Sequence, residues 1–179
     1  RPKLEYIGKY FAPTLYIQAG EEIYYHIAKH ARRTVNPPKD TWVAFSNNKR
    51  GYKKHPHFEI GLWESNIFIM FAVIYDSPFK DTYGTLLLEH FQNFKHDIPS
   101  YFEWSGDHTT SKTIMYKDIT ETELEEMFTR LKTVKKAEIL CGITISKEKA
   151  IKLSGEEIIG IIEDTLTKLQ PFYKLGKML

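Results

Sequence analysis

Cysteine is nearly absent, since Cys141 is the single one among 179 residues. One cysteine excludes an internal disulfide and argues against a secreted, disulfide-rich scaffold. Its place in an apolar run predicts a buried, unreactive thiol. Long hydrophobic runs are missing too, because none approaches the ~20 residues that a transmembrane helix needs. We therefore expect a cytoplasmic protein that has no membrane partner.

The signatures of several enzyme classes are also absent. The sequence has no GxGxxG stretch, no Walker-type loop, no GxSxG and no CxxC. These motifs mark dinucleotide-binding, P-loop, α/β-hydrolase and thiol-redox sites. Their absence indicates no particular cofactor and leaves catalytic activity open.

Length and composition fit one folded domain. A chain of 179 residues, of which 42% are hydrophobic, can bury a substantial core. Aromatic residues make up 14%, so large rings are expected to supply much of the packing. The chain begins at Arg1 within a pattern that is already periodic. We therefore expect the native protein to have a further N-terminal segment.

Hydrophobic periodicity and turn signals predict the order of helices and strands. Helices are expected over residues 2–18 and 79–96, after a Thr120–Glu123 capping box, and after a Ser154–Glu157 box as far as about residue 173. Residues 22–33 fit a short helix or a strand, and we assign a short helix. Strands are predicted at 41–46, 57–64, 67–75, 101–105, 112–117 and 137–146. This order predicts a single α+β domain with a mostly antiparallel β-sheet flanked by helices.

Acidic residues are scarce in residues 26–57, which carry eight Lys or Arg and one acid. The formal charge of this segment is +7, whereas the other 147 residues carry −5. Four of the seven histidines also lie here. A local cationic field in a mildly acidic protein indicates an anionic partner. The alternative is a solvated hairpin whose lysines keep a sheet edge from aggregating.

His26 and His30 are four residues apart, so a helix would place both imidazoles on one face. Zinc proteases use this spacing with an intervening glutamate, but Ile27 follows His26 here, and we expect no metal site. On the same helix Arg33 would share the face of Lys29. A guanidinium binds phosphate or carboxylate through paired hydrogen bonds. The spacing therefore predicts a site for a small anion.

A basic turn follows, in which Lys49, Arg50 and Lys53 surround Gly51 and Tyr52. The glycine would let the backbone approach a ligand closely. Cations with an interleaved aromatic ring also suit a nucleic-acid backbone and a stacked base. Nucleic acid is the less favoured partner, because the pI is only near 8.5 and no helix-turn-helix, zinc-finger or RNP motif is present.

Asp107 and His108 lie in a polar loop between two predicted strands. A histidine paired with a carboxylate can serve as a general base where a nucleophile is near. The hydroxyl residues close in sequence are Ser105, Thr109, Thr110 and Ser111. A polar β-turn has the same composition. Both interpretations stay open from the sequence.

Four stretches of the chain are similar to one bacterial family. They are HIAKHARRTVNPPKDTWVAF (26–45), NKRGYKKHPHFEIGLW (48–63), GDHTTSKT (106–113) and VKKAEILCG (134–142). Over nearly its whole length the chain resembles the uncharacterised YktB-like UPF0637 family, also called DUF1054. The resemblance implies a single cytoplasmic α+β domain. It also implies an architecture like the antiparallel core of class II aminoacyl-tRNA synthetases and biotin ligases.

The charge pattern and the resemblance together define one candidate binding site. We predict a module that binds a small phosphate- or carboxylate-bearing molecule. Two alternatives are an enzyme that acts on a nucleotide or acyl-phosphate through a histidine acid or base, and nucleic-acid binding by the turn at residues 49–54. The predicted ligand-binding residues are His26, Lys29, His30, Arg32, Arg33, Asn36, Trp42, Lys49, Arg50, Tyr52, Lys53, His57, Asp107 and His108.

Overall fold

A computed structural model of the chain describes residues 2–29 and 39–179. Within these residues it has five α-helices and seven β-strands. The helices are α1 (Pro2–Ala19), α2 (Lys80–Phe94), α3 (Glu121–Thr133), α4 (Lys147–Ala150) and α5 (Gly155–Gly176). The strands are β1 (Tyr24–Ile27), β2 (Asp40–Ser46), β3 (His57–Trp63), β4 (Asn66–Val73), β5 (Glu103–Ser105), β6 (Ile114–Met115) and β7 (Ile139–Ser146).

The strands form one sheet in the order β1-β2-β3-β4-β7-β5-β6, and every neighbouring pair is antiparallel. The consecutive strands β2, β3 and β4 make an antiparallel meander. β7 lies between β4 and β5, so residues that are distant in the chain become neighbours. The predicted α+β fold with an antiparallel sheet and flanking helices is confirmed. Among the described helices, none has the length and apolar character that crossing a membrane requires.

Strand residues alternate between the two faces of the sheet, as the two-residue period of a strand requires. One face packs against the helices and forms the main core. On this face Val43, Phe58, Ile69 and Cys141 are at most 1% exposed. Burial raises the pKa of the Cys141 thiol well above its ordinary value. The prediction that Cys141 is buried is therefore confirmed.

Aromatic rings fill the centre of this core. Phe172 on α5 stacks on Phe71 of β4, with ring centroids 5.7 Å apart. It also meets Trp104 edge-on at 5.5 Å and Phe94 edge-on at 5.3 Å. The hydroxyl of Tyr83 donates a hydrogen bond of 2.8 Å to the Phe172 carbonyl oxygen. One side chain thus joins two helices to both halves of the sheet.

The assignment of residues 22–33 to a short helix is wrong where the structure describes them. Tyr24–Ile27 form β1, which pairs antiparallel with β2. The apolar residues of this stretch fit both periods, so pairing with a neighbouring strand decided the outcome. The predicted helical face shared by His26 and His30 is consequently wrong for His26. Residues 30–38, which include His30, lie outside the described residues.

Both predicted capping boxes are present. At the start of α3 the Thr120 hydroxyl accepts from the Glu123 backbone N–H, and the Glu123 carboxylate accepts from the Thr120 N–H. Ser154 and Glu157 make the same reciprocal pair at the start of α5. Because these signals act within four residues, the sequence alone fixes where both helices begin. α5 continues through Pro171 and ends later than predicted.

Gly142 lies on β7 directly opposite Met70 of β4. A Cβ at this position would lie 1.9 Å from the Ile69 carbonyl oxygen, and a backbone atom cannot yield as a flexible side chain can. We expect Gly142→Ala to lower the free energy of unfolding by about 2–3 kcal/mol, measured by urea unfolding. Gly160→Ala is the control, because its Cβ would meet no atom within 4 Å on the exposed side of α5. Unchanged stability of Gly142→Ala would contradict the close β4–β7 approach.

Candidate functional site

The second face of the sheet, turned away from the helices, carries a smaller apolar cluster. Trp42 on β2 and Trp63 on β3 pack against it. In the described part of the chain, no helix residue contributes to this cluster. This face can therefore form the floor of a binding site. The buried members of the cluster are Phe68, Met70, Ala72, Ile74 and Leu140.

The loop at residues 47–56, between β2 and β3, folds onto one side of this face. The Trp42 indole N–H donates to the Tyr52 hydroxyl at 3.0 Å. The Tyr52 ring meets the His57 ring edge-on, with centroids 4.9 Å apart. His26 Nε2 lies 2.8 Å from a loop carbonyl oxygen and therefore carries the proton of that bond. Burial lowers the pKa of His26, while the carbonyl bond acts in the opposite direction.

The loop at residues 106–113, between β5 and β6, borders the face on the other side. The Ser105 hydroxyl donates to the Asp107 carbonyl oxygen at 3.1 Å. The backbone N–H and the hydroxyl of Thr109 both donate to Asp107 Oδ1, at 2.8 and 2.6 Å. The hydroxyl bond is the main reason why the pKa of Asp107 is lowered. Asp107 is consequently a carboxylate at neutral pH.

A cleft lies on the sheet face between the two tryptophans and the loop at residues 106–113, and we call it the sheet-face cleft. Its cavity volume is only about 30 Å³, so the cleft is shallow and largely open to solvent. Apolar side chains of the sheet form its floor, and five hydroxyl groups and one histidine, His108, lie along its walls. The carboxylates among its described lining residues are Asp40, Glu59 and Asp107.

His108 is held in place by Glu138, whose side chain is 2% exposed. His108 Nδ1 lies 2.7 Å from Glu138 Oε1, and the His108 backbone N–H donates to the same oxygen at 2.9 Å. The backbone N–H of Tyr75 donates to Glu138 Oε2 at 2.9 Å. Because the carboxylate accepts each of these bonds, Nδ1 carries a proton. Nε2 is then the ring nitrogen that remains for a further partner.

The bond to Glu138 raises the pKa of His108 above its ordinary value of 6.5, and burial opposes this rise. The negative charge of Asp107 also raises this pKa. The charged form of His108 is therefore more accessible near neutral pH than that of an ordinary histidine. Such a histidine can accept a proton at Nε2 or donate one.

One cluster has the residue types of a metal site: Asp107, His108 and Glu138. One ligand atom of each lies within 4.8 Å of the others. The two oxygens of Glu138 already accept from two backbone N–H groups and from His108 Nδ1. A metal-bound imidazole nitrogen needs a free lone pair, whereas this nitrogen carries a proton. The three residues therefore fit a hydrogen-bonded carboxylate–histidine pair better than a metal site.

A second carboxylate–histidine pair lies beneath the cleft. His57 is 0% exposed, and its Nδ1 lies 2.8 Å from the His55 carbonyl oxygen. Its Nε2 lies 2.8 Å from Glu59 Oε1. A carbonyl oxygen only accepts, so Nδ1 is protonated, and the second contact requires one further proton between Nε2 and Oε1. The pair is neutral as a unit, whichever atom holds that proton. Glu59 thus adds less negative charge to the cleft than a free carboxylate would.

Comparison with protein-family models matches residues 1–173 to DUF1054, a domain of unknown function. The chain belongs to this family. A UPF0637 protein of Bacillus velezensis is 50% identical over 175 residues, which are 98% of this chain and 83% of the relative. A UPF0637 protein of Bacillus licheniformis is 51% identical with the same shares. One of Bacillus cereus is 49% identical over 174 residues, 97% of this chain and 84% of the relative. The resemblance to the UPF0637 family is confirmed, while the likeness to the synthetase core stays a prediction.

The structure brings part of the predicted site together. Three of the predicted ligand-binding residues line the sheet-face cleft, namely Trp42, Asp107 and His108. Three others fix the loop at residues 47–56 against the sheet, namely His26, Tyr52 and His57. These six residues of the UPF0637 chain therefore lie on the same face of the sheet.

The predicted cations of the described chain do not line this cleft. Lys49, Arg50 and Lys53 are exposed on the loop between β2 and β3, and Lys29 is exposed just after β1. None of the four belongs to the described lining of the cleft. Four further predicted residues lie outside the described residues, so their part in a site stays a prediction. They are His30, Arg32, Arg33 and Asn36.

Sequence reasoning did not include Glu59 and Glu138 among the site residues. A signal was present, since Glu59 stands inside an apolar strand and Glu138 stands immediately before another. A buried acid in such a run needs a partner. The partner of Glu138 is 30 residues away in the chain, and no local pattern identifies it.

Proposed function

We propose that the protein binds a small molecule in the sheet-face cleft and that His108 exchanges a proton with this molecule. The observation that carries the proposal is the contact of 2.7 Å between His108 Nδ1 and Glu138. This contact fixes the orientation of the ring and leaves Nε2 for the ligand. The direction of the His108 pKa shift supports the same role, because it makes the charged form more accessible near neutral pH.

The chemistry of the cleft walls supports a small molecule as the ligand. Trp42, Trp63 and Phe68 supply apolar surface at one end, and the loop that carries His108 supplies polar groups at the other. Ligand sites in proteins usually combine a mostly apolar surface with a few polar groups that fix orientation. A molecule with an apolar body and one polar end fits this division.

Both an enzyme and a binding module can use proton exchange at His108 Nε2. Substitution of a general acid or base commonly lowers the rate about 10²- to 10⁴-fold. In a binding module the same nitrogen supplies one hydrogen bond, whose loss weakens affinity by a smaller factor. Turnover of a bound compound therefore separates the two functions.

We expect a thermal-shift screen of small metabolites to reveal compounds that raise the melting temperature of the whole chain by mass action. In His108→Asn, affinity for such a compound should fall about 10-fold or more, because a hydrogen bond to a titrating group is lost. His96→Asn is the matched control, since His96 is exposed on the 3₁₀ turn at Lys95–Asp97. Equal affinity of His108→Asn and wild type for every compound found would refute the role of His108.

A second candidate function is anion binding on the surface of the loop at residues 47–56. It is supported by Lys49, Arg50 and Lys53, which form no ion pair with an acid among the residues that the structure describes. Tyr52 faces the sheet and bonds to Trp42, so it is poorly placed to stack on a nucleic-acid base. This favours a simple anion over nucleic acid at this surface. Salt dependence separates this surface from the cleft, because exposed phosphate contacts weaken steeply as salt rises.

A further inference from the structure

A cavity of about 230 Å³ lies between α2 and α3, on the helix side of the sheet, and we call it the helix-pair cavity. Its inner wall is formed by four side chains of the main core, namely Leu87, Phe91, Leu124 and Phe128. Each of them is at most 4% exposed. A cavity of about 150 Å³ with leucine and phenylalanine walls binds benzene. The helix-pair cavity is therefore large enough for a single ring.

Polar and charged groups lie at the mouth of this cavity. The Gln92 amide on α2 donates to Glu121 Oε1 on α3 at 2.8 Å, and both side chains are exposed. Glu125 adds a second exposed acid, and Lys95, which is half-buried, adds a cation. A charged ligand group would meet charges of both signs at the mouth, and it would lose water without gaining a partner at the inner wall. The cavity therefore favours a neutral molecule.

Tyr116 supplies a hydrogen-bond donor to the cavity, which it lines from the 3₁₀ turn at Tyr116–Asp118. Its ring meets Phe91 edge-on, with centroids 6.2 Å apart. Its hydroxyl bonds to no other group among the residues that the structure describes. Burial is the main reason why the pKa of Tyr116 is raised above its ordinary value of 10.0. The hydroxyl therefore keeps its proton at neutral pH and can donate it to an acceptor on a ligand.

Trp104 lies behind the wall of the cavity and is 1% exposed. Its ring centroid is 5.7 Å from that of Phe91, 5.8 Å from that of Phe128 and 6.1 Å from that of Tyr116. A molecule in the cavity contacts the same three rings, so the resonance of the Trp104 indole N–H reports its binding. The other two tryptophans pack on the opposite face of the sheet and serve as internal references.

We infer that the helix-pair cavity binds a neutral small molecule that has one apolar ring and one hydrogen-bond acceptor. The ring contacts the inner wall, and the acceptor takes the proton of the Tyr116 hydroxyl in a hydrogen bond. This site lies on the other side of the sheet from the sheet-face cleft. It is therefore a second site, independent of the proposed function.

The test uses four compounds that share one ring: acetophenone, toluene, benzoate and benzylamine. They carry a carbonyl, a methyl, a carboxylate and an ammonium group. Binding to the whole chain at neutral pH is followed by chemical-shift titration of the indole N–H groups. Acetophenone should shift the Trp104 resonance to saturation at millimolar concentration while Trp42 and Trp63 stay nearly unchanged. It should bind about 5- to 10-fold more tightly than either charged compound, because a charged group is costly to desolvate.

Tyr116→Phe tests the donor by removing the hydroxyl and keeping the ring. Acetophenone affinity should fall about 3- to 10-fold, as expected for one lost hydrogen bond, while toluene affinity should change little. Tyr6→Phe is the matched control, because Tyr6 is 59% exposed on α1. An equal loss for acetophenone and toluene in Tyr116→Phe would contradict the assigned donor.

Leu88→Phe tests the location, since Leu88 lines the cavity and is 37% exposed. The larger ring occupies space near the mouth and leaves the inner wall intact, so affinity for acetophenone and toluene should fall at least about 10-fold. Ile17→Phe is the control, because Ile17 is 77% exposed on α1. Circular dichroism verifies that both variants are folded. Unchanged affinity in folded Leu88→Phe would refute the location.

Three further outcomes overturn the inference. They are no saturable shift of Trp104 with acetophenone or toluene, shifts confined to Trp42 and Trp63, and binding of benzoate or benzylamine as tight as that of acetophenone. His108→Asn should leave the Trp104 titration unchanged, because His108 does not line this cavity. The failure of this inference is thus distinguishable from the failure of the proposed function.

Discussion

Replacing Glu138 with alanine is expected to lower the free energy of unfolding by about 2–5 kcal/mol. The substitution removes one carboxylate that accepts from the backbone N–H groups of Tyr75 and His108 and from the His108 ring. The Glu138 side chain is 2% exposed, so water cannot readily replace it. Urea unfolding at neutral pH measures the loss.

Glu138→Gln is the matched variant, because the amide keeps the size of the side chain and one accepting oxygen. It should cost less stability than alanine. In both variants the pKa of His108 should fall from its raised value, since the hydrogen bond that raises it is weakened or lost. Titration of the His108 ring by NMR measures this shift. An unchanged titration in Glu138→Ala would contradict the assigned contact.

The sign of the pH dependence follows from the direction of this shift. The pKa of His108 is higher in the folded state than its ordinary 6.5, so the folded chain holds this proton more tightly. The resulting stabilisation is fully present below pH 6.5 and is lost as pH rises through the folded pKa. In the wild type, the free energy of unfolding should therefore decline as pH rises across this range. The decline assigned to His108 should be absent from Glu138→Ala.

Replacing Phe172 with alanine is expected to lower the free energy of unfolding by about 3–5 kcal/mol. The ring is 1% exposed and stacks on Phe71 while meeting Phe94 and Trp104 edge-on. Its removal loses the transfer free energy of a large side chain and leaves a cavity that the helices and the sheet can fill only in part. Urea unfolding with near-ultraviolet circular dichroism measures both the stability and the packing of the neighbouring rings.

Two control variants define the meaning of that loss. Phe172→Leu keeps most of the volume and should cost about 1–2 kcal/mol. Phe79→Ala removes an equal ring that is 57% exposed, and it should change stability by about 0.5 kcal/mol or less. A similar loss for Phe79→Ala and Phe172→Ala would contradict the placement of Phe172 at the centre of the core.

The helices and strands were largely predictable because their signals are local. The Thr120–Glu123 box acts within one helical turn, and it placed the start of α3 correctly. The apolar run at residues 67–75 likewise predicted β4, which is buried on both faces of the sheet. The prediction for residues 22–33 was wrong because the deciding signal was not local. Its pattern fitted both periods, and only its pairing with β2 made it a strand.

The candidate site was predictable only in part. His108 and Asp107 were identified as a possible acid–base pair, but the carboxylate that holds the His108 ring is Glu138. The cation-rich loop was expected to face a ligand, yet Lys49, Arg50 and Lys53 are exposed and do not line the sheet-face cleft. The net charge of a sequence segment does not show which surface its side chains face. Long charged side chains prefer to extend into solvent.

The sequence by itself determined the family, the fold class, the helix starts and the buried cysteine, since these depend on short-range patterns and on residue types. The tertiary structure alone decided the site. It placed β7 between β4 and β5, which brings Glu138 to His108, and His108 lines the same cleft as Trp42 of a distant strand. Strand order results from packing of the whole sheet against its helices, and no spacing within the chain encodes it.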